Sequence, residues 1–345
     1  MHVNVTIIGL DRLGASFGLA LKRYQARPDA RHSFTILGSD TANEPMKVAQ
    51  KRGAVDDFQR DKLKAIENAE LIITNLPYGQ TEGLLARIGP ALKLGAVVLD
   101  LSLLKQPVLG WVDEFFPKNA DGQPTAYLVG MTPIINVEAL YSGALGVEDA
   151  RADLFDGAEI LIAPDARCPA EAVQLAEDVA RLVGGKPRFI DPAEHDGLIA
   201  ATEELPALLG AALLYTLQQS EGWPELQRMV NPTLALTIQS LRTREREDAK
   251  ALFSYNRANL LRHLDHLIAR LNEVRGALAA GEETGELDAF LDVVYRAWQQ
   301  WDVKRTSGNW DETRGAEKLP GPLGGMGGML FGRLGRKSDG DEDED

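Results

Sequence analysis

The sequence predicts an open α/β sheet with parallel strands in its first half and an all-helical second half. Three observations carry that prediction. A β-branched run, Val3-Asn4-Val5-Thr6-Ile7-Ile8, ends at Gly9 and gives way within about four residues to a helical pattern. Short apolar runs then recur between amphipathic stretches up to residue 190, as in a sheet buried on both faces. From Asp191-Pro192-Ala193-Glu194 onward the alternation stops and only helical periodicity remains.

The first strand is Val3 to Ile8, the turn Gly9 to Arg12, and the first helix Leu13 to about Arg23. In a dinucleotide-binding unit of this kind, one glycine turns the chain and a second admits the pyrophosphate. A third lets helix and strand pack closely. Gly9 and Gly14 hold the first and third places, and Asp11 holds the second, where a carboxylate repels phosphate. This Rossmann-like turn makes Gly9, Leu10, Leu13 and Gly14 candidate cofactor contacts.

A second strand runs from His32 to Gly38, with Asp40 two residues beyond it. Asp40 either takes the ribose hydroxyls of NAD, disfavouring the extra phosphate of NADP, or is a loop residue before Glu44-Pro45. A helix from Glu44 to Arg52, a short strand near Ala54-Val55 and a buried strand from Ala69 to Thr74 follow. Next come a helix from Gln80 to Gly89 and a strand from Ala96 to Asp100. Strands at Ala126 to Gly130, Glu159 to Ala163 and Arg188 to Ile190 continue the sheet, the last two flanking a helix from Pro169 to Leu182. A ligand belongs at the carboxyl ends of these strands, where Asn75, Leu76, Pro77, Asp100 and Met131-Thr132-Pro133 stand.

At the boundary Asp191 reads as a helix cap, Pro192 as the first helical residue and Glu194 as the third, as in a capping box. Leu205 to Tyr215 predicts a buried helix, and Leu234 to Leu241 another helix. Leu260 through Val274 and Leu287 through Trp301 mark two long amphipathic ones. The expected organisation is a nucleotide-binding α/β domain over 1–190 and a helical dimerisation and substrate domain over 191–310. A flexible glycine-rich and acidic tail over 311–345 completes it. The long helices carry more apolar face than one small bundle hides, which predicts a homodimer.

The net charge of -14 argues against nucleic acid as a partner and leaves room for a small anionic metabolite, which needs only a local basic group. No apolar run approaches eighteen residues, so no membrane span is expected. Met1-His2-Val3 enters the first strand directly, unlike a secretory leader, and the single Cys168 fits a reducing, cytoplasmic setting. His263 and His266 lie three apart without a third ligand nearby, so no metal is expected.

The order of motifs resembles the prephenate and arogenate dehydrogenase family from about Val3 to Val303. The likeness rests on Ile7-Ile8-Gly9 through Gly14-Ala15-Ser16, Asp100-Leu101-Ser102-Leu103-Leu104-Lys105, and Gly130-Met131-Thr132-Pro133-Ile134. Leu154-Phe155-Asp156-Gly157, His195-Asp196, Leu205-Pro206 and Phe253 through Leu261 extend it. The resemblance implies oxidation of prephenate or arogenate with NAD, or possible use of NADP, and release of carbon dioxide on the way to tyrosine.

Several positions depart from the family pattern. Thr132 stands where the family has a histidine base, Leu103 where it has a serine beside Ser102, and Glu204 where it has a second histidine. Pro224 replaces one arginine, while Arg228 matches the arginine that holds a substrate carboxylate. A threonine hydroxyl does not accept a proton at neutral pH. The expectation is weak or absent oxidation of prephenate unless Glu204, Lys105 or His195 takes the proton. The alternative is a catalytically inactive relative serving as a metabolite-binding or partner protein.

Overall fold

The computed structural model describes residues 1–140, 143, 145–281 and 285–310, and the tail expected over 311–345 lies outside them. Eight strands form one sheet in the order β3-β2-β1-β4-β5-β6-β7-β8. They are β1 (His2–Ile8), β2 (Ser33–Ser39), β3 (Asp57–Phe58), β4 (Leu71–Thr74), β5 (Val97–Asp100), β6 (Tyr127–Pro133), β7 (Glu159–Pro164) and β8 (Lys186–Phe189). Every residue of β4 and β5 is buried, as a continuous apolar run in a doubly covered sheet requires. Val5 of β1 lies between Ile36 of β2 and Leu71 of β4 in parallel register.

One pair departs from the expected parallel sheet: β6 and β7 are antiparallel, with Thr132 opposite Leu161. Parallel return needs a long crossover, usually helical, and between Pro133 and Glu159 the described residues form only short turns. The third strand also falls at Asp57–Phe58 rather than at Ala54-Val55. Ala54 N closes the preceding helix turn on the Ala49 carbonyl, so pairing begins later, with Asp57 opposite Leu37.

Helices α1 (Arg12–Gln25), α2 (Asn43–Lys51), α3 (Lys62–Ile66), α4 (Tyr78–Ile88), α5 (Gln106–Phe115) and α6 (Ala170–Leu182) connect the strands. Of these, α3 and α5 are additions to the sequence reading; α3 spans only five residues, too few to show a period. Past β8 come α7 (Pro192–Ile199), α8 (Leu205–Gln218), α9 (Trp223–Leu226), α10 (Pro232–Thr237), α11 (Ser240–Thr243), α12 (Arg246–Tyr255), α13 (Arg257–Ala280) and α14 (Glu286–Ser307). Asp191 caps α7 as expected, its carboxylate accepting from Ala193 N at 2.8 Å and Glu194 N at 3.1 Å. A π-turn over Ala200–Glu204 joins α7 to α8. Pro206 has no N–H to return to a preceding carbonyl, and the helix widens just before it.

The compact unit holding the sheet extends through Ala269, and a second begins at Arg270 within α13 and includes α14. The expectation of a buried helix over Leu205 to Tyr215 is corrected. In α8 only Ala207 and Gly210 are buried, and Tyr215 is 66% exposed. On α14 Tyr295, Trp298 and Trp301 are likewise exposed. The expected helix over Leu234 to Leu241 is two short ones, interrupted at Ile238.

Candidate active site

The carboxyl ends of β1, β4, β5 and β6 bring together Gly9, Asn75, Asp100 and Thr132, the edge at which an open α/β sheet takes its ligand. Two groups of residues stand there: the glycine turn after β1, and a buried polar cluster after β5 and β6.

In the turn Gly9 has φ +97°, and a side chain there would come within 1.8 Å of the Asn75 carbonyl. A side chain at Gly14 would meet the Gly9 carbonyl at 2.0 Å. Both glycines are therefore required by close approach. Leu76 and Pro77 continue the Asn75 loop into α4. Asp40 Oδ2 accepts from Leu10 N at 2.9 Å, which fastens the end of β2 to the turn. The backbone has the form that admits a dinucleotide. The misfit is one side chain: Asp11 Oδ1 accepts from Leu13 N, Gly14 N and Asn75 Nδ2 at 2.8, 3.0 and 2.6 Å, so it sits on the helix N-terminus.

The second group is almost closed to solvent: Asp100, Ser102, Lys105, His195, Asp196, Glu204 and Asn256 are all buried. Lys105 Nζ donates to the carbonyls of Asp100, Ser102 and Met131 at 3.0, 2.5 and 3.1 Å. All three of its protons are spent holding strand ends together, and burial lowers its pKa to about 8. Ser102 Oγ donates to the Asp100 carboxylate, which also accepts from Thr74 Oγ1 at 3.0 Å. Both Ser102 and Lys105 are thus committed to the framework.

His195 is different. Its Nε2 lies 2.8 Å from Thr132 Oγ1 and its Nδ1 3.1 Å from Asp196 Oδ1. The carboxylate sets the tautomer with the proton on Nδ1, so Nε2 accepts from the threonine hydroxyl. Asp196 is itself held by two amides at the start of α5, Lys105 N at 2.8 Å and Gln106 N at 2.9 Å. Burial lowers the His195 pKa against the opposing pull of Asp196, keeping the ring neutral.

On the π-turn, Glu204 Oε1 accepts from Asn256 Nδ2 at 3.1 Å, while Oε2 is buried with no partner among the described residues. Burial pushes its pKa up to about 7. Arg244 stands beside this turn, 3.5 Å from Glu203 and 3.4 Å from Asp248, with Nη1 buried and lacking a partner among the described residues. Arg228, the expected carboxylate ligand, is 72% exposed and pairs with Glu225 at 3.6 Å; no contact links it to the cluster among the described residues.

Sequence reasoning passed over Arg244, Asn256 and the orienting part played by Asp196. Only the His195-Asp196 pair had a legible signal. Among the described residues no three His, Cys, Asp or Glu side chains gather as a metal site. His263 instead contacts the Gly197 carbonyl at 3.2 Å. A cavity of about 720 Å³ opens at the other end of the sheet between Met1, Phe34, Leu94 and Leu175, away from these titratable groups.

A glycine turn at the first βα crossing and a buried polar cluster at the same edge, followed by helices, define a dehydrogenase-like nucleotide-binding scaffold. The family model for the prephenate dehydrogenase nucleotide-binding domain matches residues 17–188. The cyclohexadienyl dehydrogenase of Zymomonas mobilis is 25% identical over 295 residues, 84% of this chain and 93% of that protein. The chain belongs to the prephenate dehydrogenase family.

Solved structures agree in fold. Prephenate dehydrogenase from A. aeolicus, in complex with hydroxyphenyl propionate and NAD+, superposes with a TM-score of 0.71 at 21% identity. The match covers 86% of this chain and 98% of that one. Synechocystis arogenate dehydrogenase gives 0.63 at 20% identity, over 86% and 99%.

Proposed function

We propose that the protein is an NAD-dependent oxidoreductase of the prephenate and arogenate dehydrogenase type. In it Thr132 and His195 together do the work of the single histidine base. The reading is carried by the hydrogen-bonded line from Thr132 through His195 to Asp196 at the carboxyl edge of the sheet.

Oxidising an alcohol takes hydride from carbon and a proton from oxygen, and bound NAD supplies the hydride acceptor. A substrate hydroxyl seated on Thr132 Oγ1 gives its proton to that oxygen as the threonine proton passes to His195 Nε2. Asp196 orients the ring and stabilises the imidazolium that forms. Arg244 offers an unpaired N–H to a substrate carboxylate, a task its burial suits better than that of exposed Arg228. Asp40 supports NAD over NADP, since a carboxylate at the end of β2 repels a 2′-phosphate. The apolar faces left open on α8 and α14 support a homodimer, and light scattering at micromolar concentration is expected to give twice the chain mass.

Initial rates of NADH formation with prephenate and with arogenate test the reaction. Wild type is expected to turn over one of them. His195→Gln and Thr132→Val are each expected to lose a factor of roughly 10²–10⁴ in kcat. No NADH from either acid with the wild type would overturn the catalytic reading in favour of an inactive relative that binds a metabolite or a partner protein.

A further inference from the structure

The first turn of α1 has almost no free donor left. Arg12 N donates to the Leu145 carbonyl at 3.0 Å, and Ala15 N to the Asp11 carbonyl at 3.0 Å. Leu13 N and Gly14 N both end on Asp11 Oδ1, at 2.8 and 3.0 Å. Just before the helix, Leu10 N is held by Asp40. A helix N-terminus attracts phosphate because its leading N–H groups lack partners and carry the positive end of the dipole. Here a carboxylate of the chain supplies both the oxygen and the negative charge.

Resting on the nucleotide-binding reading above, we propose that Asp11 is an internal ligand of the dinucleotide's phosphate position. The nucleotide then binds by displacing this carboxylate from Leu13 N, Gly14 N and Asn75. Asp11 is exposed on its outer side, so it swings away without unpacking the core. Gly9 and Gly14 keep the backbone close enough for a phosphate to follow. Displacement therefore costs three hydrogen bonds to Asp11 Oδ1, the two that cap the helix and the one from Asn75, and leaves the sheet intact.

The exchange is sensitive to pH. Desolvation of the carboxylate where it lies against the helix start, with a smaller push from the Asp40 carboxylate, raises the Asp11 pKa against the hydrogen bonds from Gly14 N, Leu13 N and Asn75. Protonation removes the charge that competes with phosphate, so nucleotide affinity increases as pH falls toward the carboxylate range.

Calorimetry with NAD on the full-length wild type, Asp11→Gly and Asp11→Asn at pH 5.5 and 8 tests the proposal. Asp11→Gly is expected to bind about tenfold tighter or more and to lose most of the pH dependence. Asp11→Asn keeps a capping oxygen without the charge and is expected to fall between. It also serves if the glycine variant fails to fold, although glycine is itself well tolerated at a helix cap. Equal affinity in all three proteins overturns the displacement and leaves the nucleotide reading standing. Absence of NAD binding in all three overturns the nucleotide reading, and the displacement with it.

Discussion

Two helices begin at the same edge of the sheet with a carboxylate on their leading amides, and the two caps do different work. At α1 the carboxylate is Asp11, contributed by the residue immediately before the helix. At α5 it is Asp196, which lies 91 residues from Lys105 in the chain. Asp11 is exposed and makes the turn self-sufficient. Asp196 is buried and holds His195 in the orientation that lets it meet Thr132. One interaction satisfies a helix locally; the other ties distant segments into one hydrogen-bonded line. Burial is what separates them, since water replaces a lost partner at Asp11 and cannot at Asp196.

The largest effect is expected at the buried cap. Asp196→Ala leaves Lys105 N, Gln106 N and His195 Nδ1 without their acceptor, and is expected to cost about 3–5 kcal/mol in urea unfolding. Asp196→Asn preserves the shape but presents the wrong group to the ring, and is expected to lower kcat by about 10³–10⁴. A loss below about 1 kcal/mol for the alanine variant would mean that solvent reaches α5 as readily as α1, and the contrast would collapse.

Glu204 sharpens the comparison through pH. Its folded-state pKa is raised from 4.5 to about 7 by burial. The folded chain therefore holds the proton more tightly than the unfolded chain, and stability is greatest below the unfolded value. It falls as pH rises from about 4.5 to about 7, by roughly 2–3 kcal/mol. Glu204→Gln is expected to remove that fall, read as unfolding midpoints across the same pH range. A wild type whose midpoint is flat over this interval would place Glu204 in contact with water. The smallest effect is expected from Asp11→Ala, about 1 kcal/mol, the usual cost of removing a side-chain helix cap.

Much of the sheet was legible because its signals are local. Val3 to Ile8 followed by Gly9 announces a strand and turn within a dozen residues, and Asp191-Pro192 announces a helix start within four. The reading of Thr132 at the carboxyl end of a strand holds for the same reason. The antiparallel β7 was not legible, since direction depends on how the chain returns between Pro133 and Glu159. The exposure of Tyr215, Trp298 and Trp301 was not legible either; periodicity says that a face is apolar and not what covers it.

The cluster shows where local reading stops. Glycine at positions 9 and 14, the Asp11 carboxylate between them and the missing histidine at Thr132 are properties of adjacent residues, and their consequences follow from sterics and charge at short range. That His195 stands 2.8 Å from Thr132, that Asp196 caps a helix from another part of the chain, and that Arg244 lies beside the Glu203–Glu204 turn are properties of packing. They arise because the buried face of α7 and the π-turn after it take polar groups out of water, and most of these meet partners on other segments. Those partners came from β6, α5, α11 and α12, segments that no spacing along the chain places together.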